Sequence, residues 1–265
     1  MSVVPLYSEA DTAEAYQLNW IVSLFPRSHL PNLTDYHVPL RAATEEDGVR
    51  ILEMTSNDAG CVQFFVSTQP NTSPAQILQK LKGRLQYLIR DLDPKAFARN
   101  YFISSVGEAN CETLERYVGK QAVRHTMADT EVQSYFENCQ FHDDRIDLAR
   151  PRLSNHGQFL HSLHIVLEND GGRNEIRPDA IRLTLAKIEA VAIKKQWLLS
   201  RIGLVANHMH ILLGADVTEK PRSIVLSLMN NLAYAFGMKR IYRPSFYVGT
   251  FGAYDRDAIR LKLTP

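Results

Sequence analysis

The sequence predicts an α+β protein built from two copies of one unit, and two observations carry that prediction. One order of elements occurs twice: strand, hairpin, helix opened by Pro, short strand ending in Gly, helix. The copies also align over long stretches without a gap. Cys61-Val62-Gln63-Phe64-Phe65-Val66 lies on His208-Met209-His210-Ile211-Leu212-Leu213 at an offset of 147, which also sets Pro74 on Pro221, Ile77 on Ile224 and Leu81 on Leu228. Tyr101 to Gly107 lies on Phe246 to Gly252 at an offset of 145. Self-similarity of this kind is the mark of a duplicated domain.

Composition sets the class. The chain has 265 residues, 45% hydrophobic and 22% charged, which is a globular balance with room for one large or two small domains. Its apolar runs are shorter than a membrane span, and no basic region followed by an apolar core opens the chain. Cys61, Cys111 and Cys139 are an odd number at unrelated spacings. They suggest no disulfide framework and no zinc ribbon, so the expectation is a soluble cytoplasmic protein. The net charge of +1 argues against a protein that holds nucleic acid by bulk charge. From Gly157 onward, however, fifteen Lys and Arg stand against nine Asp and Glu.

In order, the first ten residues read as an unstructured lead-in, and Tyr16 to Phe25 as one buried strand closed by Pro26. Residues 35–48, broken by Pro39, leave room for at most a turn or two of helix. Val49 to Met54 and Cys61 to Thr68 form a hairpin across the turn formers from Ser56 to Gly60. Thr72-Ser73-Pro74 caps a helix that runs through Ile77, Leu81, Leu85 and Ile89 to Asp91. After the strand at Tyr101, Asn110 caps a helix from Cys111 to about Arg124, on which Tyr117 and Gln121 share a face.

Residues 126–157 lose periodicity and read as a linker between domains 1–125 and 158–265. Phe159 to Glu168 is again one strand, Pro178 to Lys195 an amphipathic helix, and Trp197 to Leu213 a hairpin. Pro221 to about Phe236 is the next helix and Phe246 to Gly252 the last strand and turn.

The hairpin carries the one pattern that suggests chemistry. Side chains alternate along a strand, so His208 and His210 point to one face, where both imidazoles can reach one ion. The same His-x-His also describes a histidine pair hydrogen-bonded on a half-buried sheet.

Taken together, the strand-borne His-hydrophobic-His, the Pro-opened helix, Tyr-Phe-Ile-Ser-Ser-Val-Gly-Glu-Ala-Asn from Tyr101 and Glu-Arg-Tyr-Val-Gly-Lys-Gln up to Gln121 resemble the small single-tyrosine HUH transposases, which include the REP-associated tyrosine transposases. The resemblance covers most of residues 15–125 and 158–263. It implies two ferredoxin-like halves whose antiparallel sheets join as in a dimer. It also implies metal ligands His208, His210 and Gln121 for Mg²⁺ or Mn²⁺, and Tyr117 as the nucleophile that forms a 5′-phosphotyrosine on single-stranded or hairpin DNA.

Each half departs from the family differently. The first has Cys61 and Gln63 at the histidine positions and reads as lacking its first helix; the second has Lys262 at the tyrosine position and stops before any glutamine. Members of that family work as dimers whose tyrosine helix can dock against the partner's histidines, so the resemblance implies an internal pseudo-dimer with one composite site, made from Tyr117 and Gln121 of the first half and His208 and His210 of the second. Under that reading the helix of Tyr117 should leave its own half and lie against the strand of His208 and His210.

The competing reading is an inactive, domesticated DNA-binding protein with the same fold. Lys80, Lys82, Arg84, Lys220, Arg222, Lys239, Arg240 and Arg243 are candidate contacts to the DNA backbone under either reading.

Overall fold

The computed structural model describes residues 5–56 and 61–256. The turn expected at Asn57 to Gly60 and the position of Lys262 lie outside them.

The first half runs β1 (Ala13–Gln17), β2 (Asn19–Pro26), α1 (His37–Glu46), β3 (Val49–Ser56), β4 (Val62–Thr68), α2 (Pro74–Ile89) and β5 (Phe97–Val106). It ends with α3 (Cys111–Gly119) and α4 (Gln121–Arg124), and between the halves lie α5 (Thr130–Asn138), β6 (Phe141–His142) and β7 (Arg152–Leu153). The second half runs β8 (Gly157–Leu160), β9 (Ser162–Glu168), α6 (Pro178–Lys195), β10 (Leu198–Leu204), β11 (His208–Gly214), α7 (Pro221–Ala235) and β12 (Ser245–Phe251).

The two sheets have strand orders β3-β4-β2-β5-β8-β7 and β1-β12-β9-β11-β10-β6. Each contains the antiparallel four-strand core of a ferredoxin-like unit, with the first and last strands neighbours and the middle hairpin to one side. Separate cores cement them. Ile77, Leu81 and Leu85 of α2 are buried against Trp20, Val22 and Phe64, and Ile188 of α6 with Leu228 of α7 against Ile165, Met209 and Ile211. Each such aliphatic side chain stabilises the fold by about 1.5–3 kcal/mol.

The two stretches expected as single strands are each two strands in different sheets. β1 pairs in parallel with β12, while β2, one residue later, is central in the other sheet. β8 pairs in parallel with β5, while β9, again one residue later, is central in its own sheet. Leu18 and His161, both buried, are the crossing points. Period-two patterning marks residues as extended but not the sheet they join.

The contacts at this exchange occur twice. Ser105 Oγ donates to Phe251 O (2.6 Å) and Thr250 Oγ1 to Val106 O (2.6 Å). Ser162 N donates to Ser105 Oγ (3.0 Å) and Asn19 N to Thr250 Oγ1 (2.8 Å). Cys111 N donates to Gly252 O and Arg256 N to Gly107 O, both at 2.8 Å. The 145-residue offset relates Ser105 to Thr250, Val106 to Phe251, Gly107 to Gly252 and Cys111 to Arg256. This is the self-complementary pattern of a two-fold interface. The backbones meet closely enough that a Cβ on Gly107 would lie 2.3 Å from Thr250 O, and one on Gly252 2.2 Å from Ser105 O.

Several expectations need correction. The first half does have its first helix: α1 buries Leu40 and Thr44 against the sheet, with Pro39 in its first turn, where a missing N–H does no harm. Residues 126–157 are not featureless, because α5 is capped by Asp129 and buries Phe136. The lead-in is anchored by Tyr7, whose hydroxyl donates to Tyr242 O (2.8 Å) and whose N–H donates to Asn230 Oδ1 (2.9 Å). The helix after Asn110 breaks at Lys120 into α3 and α4.

Candidate active site

Two faces of the second sheet do different work. Met209, Ile211 and Leu213 of β11 point into the core under α6 and α7. His208, His210 and Leu212 point the other way, and α3 packs on that face, against β10 and β11. Asn110 starts α3 by accepting from Thr113 N (2.9 Å), and Cys111, Val118 and Leu114 form its apolar side with Leu212 and Phe251.

Gly203 allows the helix to settle. It sits directly opposite His210 in the β10–β11 ladder, so a side chain there would share the face of the imidazole. A Cβ at Gly203 would lie 2.5 Å from Val118 O and 3.1 Å from Gln121 Cγ. With hydrogen in that place, the helix of the first half lies directly on the strands of the second.

The consequence is a cluster of rings. Tyr117 meets His210 edge-on, with centroids 5.5 Å apart and planes at 86°. His208 and His210 are 5.1 Å apart. Two histidines that the sequence reading missed complete the group. His125 meets His208 at 5.1 Å, and His164 of β9 stacks on His210 at 5.1 Å with Nε2 2.8 Å from its Nδ1. His125 had a sequence signal, since Tyr117, Gln121 and His125 are four apart and share a helical face. His164 had none, because only the β9–β11 pairing brings it beside His210.

Burial favours the neutral form of His164, His208 and His210. It pulls His210 down to about 3, helped by His164, His208 and His125, and pulls His164 down to about 4. His208 is also lowered, by burial first and His125 second. Neutral rings keep the lone pairs a metal needs.

The donor set fits a hard divalent cation. Gln121 is fully buried; its Nε2 donates to Tyr117 O (3.3 Å), and its Oε1 is buried with no hydrogen-bond partner among the described residues. His208 Nδ1 donates to Asn207 Oδ1 (2.7 Å), which leaves its lone pair on Nε2. In the tautomer in which His210 Nδ1 donates to His164 Nε2 (2.8 Å), His210 keeps its lone pair on Nε2 as well. Among the described residues no three or more His, Cys, Asp or Glu side chains are arranged to hold a metal. Two imidazoles and an amide oxygen make a sparser set, with positions open for water and substrate oxygens.

The first half offers no such face. Cys61 and Gln63 occupy the matching strand positions, and burial raises the Cys61 thiol above its ordinary range.

The candidate cations fare unequally. Arg84 pairs with Asp47, Arg222 with Glu14 and Glu9, and Arg243 with Glu168. Lys80 and Lys82 donate to the carbonyls of Asp47 and Ala98. Lys220 flanks the start of α7, and Lys239 and Arg240 are exposed.

Residues 32–121 match the family described as Transposase IS200 like. The resemblance to the single-tyrosine transposases holds. The transposase match begins before α1 and ends on Gln121, so it takes in Tyr117 and stops short of the histidine strand. Among solved structures, a REP-associated tyrosine transposase bound to a REP hairpin is similar at 13% identity, covering 39% of this chain and 62% of that one, with a TM-score of 0.32. A transposase-like protein from Deinococcus radiodurans is similar at 16% identity, covering 38% and 87%, with a TM-score of 0.32. A protein of unknown role from Galdieria sulphuraria is similar at 10% identity, covering 88% and 97%, with a TM-score of 0.20. The alignment spans less than two thirds of the hairpin-bound transposase. No curated protein matches the chain significantly. No helix among the described residues is long and apolar enough to cross a membrane.

Proposed function

We propose that the protein cuts and rejoins single-stranded or hairpin DNA through a 5′-phosphotyrosine on Tyr117, at one site assembled from both halves. The reading is carried by one observation: Tyr117, from the half without the histidine pair, lies edge-on to His210, from the half that has it. Residues 1–125 and 158–265 are then sibling copies joined by 126–157, a view supported by the hydrogen bonds that occur twice at their junction.

In the step itself, Tyr117 Oη attacks a backbone phosphorus. The Oη–P bond forms as the P–O3′ bond breaks, the phenol gives its proton to water, and the departing 3′ oxygen takes a proton from water to leave as a hydroxyl. A 3′-hydroxyl from another strand can reverse the exchange, because the phosphotyrosine conserves the bond. His208, His210 and Gln121 would hold Mg²⁺ or Mn²⁺, which supplies polarisation of a non-bridging phosphate oxygen. His164 and Asn207 hold the two imidazoles in register, and Gln121 ties the metal side of the site to the Tyr117 carbonyl. Arg124, 5.0 Å from the Tyr117 ring centroid, sets a guanidinium where the anionic phosphate must come.

The test is incubation with single-stranded DNA and Mn²⁺, followed by denaturing electrophoresis. A covalent adduct formed by the wild type and absent in Tyr117→Phe supports the reading. DNA binding without any adduct overturns it in favour of the inactive DNA-binding protein.

A further inference from the structure

The strand beside the histidines carries an irregularity where the tyrosine helix meets it. In the ladder of β10 and β11, Leu199 stands opposite Leu213 and Arg201 opposite Leu212, so Ser200 is an extra residue. Successive side chains on a regular strand point to opposite faces, and a bulge of this kind re-aims them. Here Ser200 and Arg201 both reach Glu115 of α3. The buried Ser200 Oγ donates to Glu115 Oε1 (2.5 Å), and Arg201 Nη2 lies 4.0 Å from Glu115 Oε2. Asp144, from the segment that joins the halves, holds the same guanidinium at 2.6 Å, and Asp143 N donates to Ser200 O (2.9 Å).

Glu115 is therefore a second anchor for α3. Val118, almost one helical turn on, lies against Gly203. That contact sets how close the helix comes to the sheet and leaves its direction open. A charge-assisted bond earlier on the helix fixes the direction as well, and with it the place of Tyr117 between the two anchors.

The first half has the same bulge with the opposite charge. There Ile51 stands opposite Val66 and Glu53 opposite Phe65, with Leu52 as the extra residue. Val66 and Phe65 are the counterparts of Leu213 and Leu212 at the offset of 147, so Leu52-Glu53 takes the place of Ser200-Arg201. On its own half, a helix carrying Glu115 would meet a carboxylate in place of the hydroxyl and the guanidinium. The helix side is exchanged in step: the offset of 145 sets Arg260, which lies outside the described residues, at the place of Glu115. Both members of the pair change sign together between the copies, as complementary partners in one contact must.

We infer that Glu115 is a positioning residue, and that the bulge of Ser200 and Arg201 directs the tyrosine helix onto the second half while Glu53 turns it away from the first. The inference rests on the strand-transfer reading for what the seat achieves, and adds to it the contact that selects the seat.

The experiment compares wild type, Glu115→Gln, Glu115→Lys and the exchange Glu115→Lys/Arg201→Glu, the last made in Asp144→Asn and referred to it, so that the new carboxylate meets no second one. Two quantities are followed in the full chain: the rate of covalent adduct formation with single-stranded DNA and Mn²⁺, and the hydrogen-exchange protection of the α3 amides from Leu114 to Val118 without DNA or metal. Glu115→Lys is expected to slow adduct formation about a hundredfold and to lower α3 protection roughly tenfold, with β9 and β11 unchanged. Glu115→Gln, which keeps an acceptor for Ser200, should fall between wild type and Glu115→Lys, and the exchange should recover most of both losses. Wild-type rate and protection in Glu115→Lys, losses that the exchange leaves in place, or equal loss of protection in β9 and β11 overturn the inference and leave strand transfer standing. A wild type that forms no adduct, with α3 protection still lost in Glu115→Lys and recovered in the exchange, overturns strand transfer and leaves the seat standing.

Discussion

Where the two halves join, they do the same thing twice; on the faces of their sheets, they do not. At the junction each bond has its counterpart: Ser105 to Phe251 and Thr250 to Val106, Ser162 to Ser105 and Asn19 to Thr250. On the sheet faces one half presents His208 and His210 under a foreign helix and the other presents Cys61 and Gln63. The difference teaches that joining and chemistry tolerate change unequally. A junction built on backbone carbonyls and two hydroxyls constrains both halves alike, because each supplies what the other needs. Under the proposed function a site needs only one histidine pair and one tyrosine, so either half can lose its share once the other's is within reach.

The comparison breaks most sharply at the strand positions. Replacing His208 and His210 together by Ala is expected to weaken Mn²⁺ binding at least a hundredfold by calorimetry, while Cys61→Ala/Gln63→Ala leaves it within twofold. Comparable losses from the two pairs would mean that both faces hold metal.

Next in size is the seat of the helix. Gly203→Ala sets a methyl 2.5 Å from Val118 O, and neither the strand nor the helix backbone can yield cheaply. The expected outcome is roughly a hundredfold loss of adduct, as α3 is displaced by a fraction of an ångström or more, with about 1–3 kcal/mol lost in denaturant titration. Gly119→Ala, on the same helix with nothing within 4 Å, should keep full adduct yield. Unchanged activity in both would show that the close fit of α3 on β10 is dispensable.

Acid should weaken the second half first. Burial lowers His161 and His164 to about 4 and His210 to about 3, whereas in the unfolded chain they take protons near the ordinary value of 6.5. Between those values the unfolded state binds more protons, so stability is lost as pH falls from about 6.5 toward 4, on the order of 1–2 kcal/mol per histidine by pH 5. Denaturant titrations at pH 7 and pH 5, monitored by hydrogen exchange in each sheet, should show the sheet of β9 and β11 losing protection first. Equal loss in both sheets would count against this.

The smallest effect tests the symmetry of the junction. Ser105→Ala and Thr250→Val each leave a buried N–H without its acceptor, at Ser162 and Asn19, for an expected cost of about 1–3 kcal/mol each. The two losses in chemical denaturation should agree within about 0.5 kcal/mol. A clear inequality would mean that the copies no longer share the junction evenly.

Most elements were legible in the chain because their signals are local. Ser73 and Gln76 form a capping box at the start of α2, α6 begins at Pro178 and ends at Lys195 as expected, and Asn110 caps α3. The strand of His208 and His210 was legible too, although it begins at His208 and leaves residues 205–207 to the turn. α1 was obscured by Pro39, which breaks a helix in its interior and not in its first turn.

The sequence by itself determined which residues are extended, which are helical and which recur, since alternation, capping and helical spacing act over a few residues. Only the tertiary structure decided that the chain crosses between sheets at Leu18 and His161 and that His164 meets His210, whereas the seat of α3 on the other half's strands was expected from the family resemblance. Those contacts join residues far apart in the chain, and they are selected by the packing of whole surfaces. Gly203 illustrates the point: its spacing to Val118 has no trace in local pattern, yet it determines how near Tyr117 lies to the imidazoles.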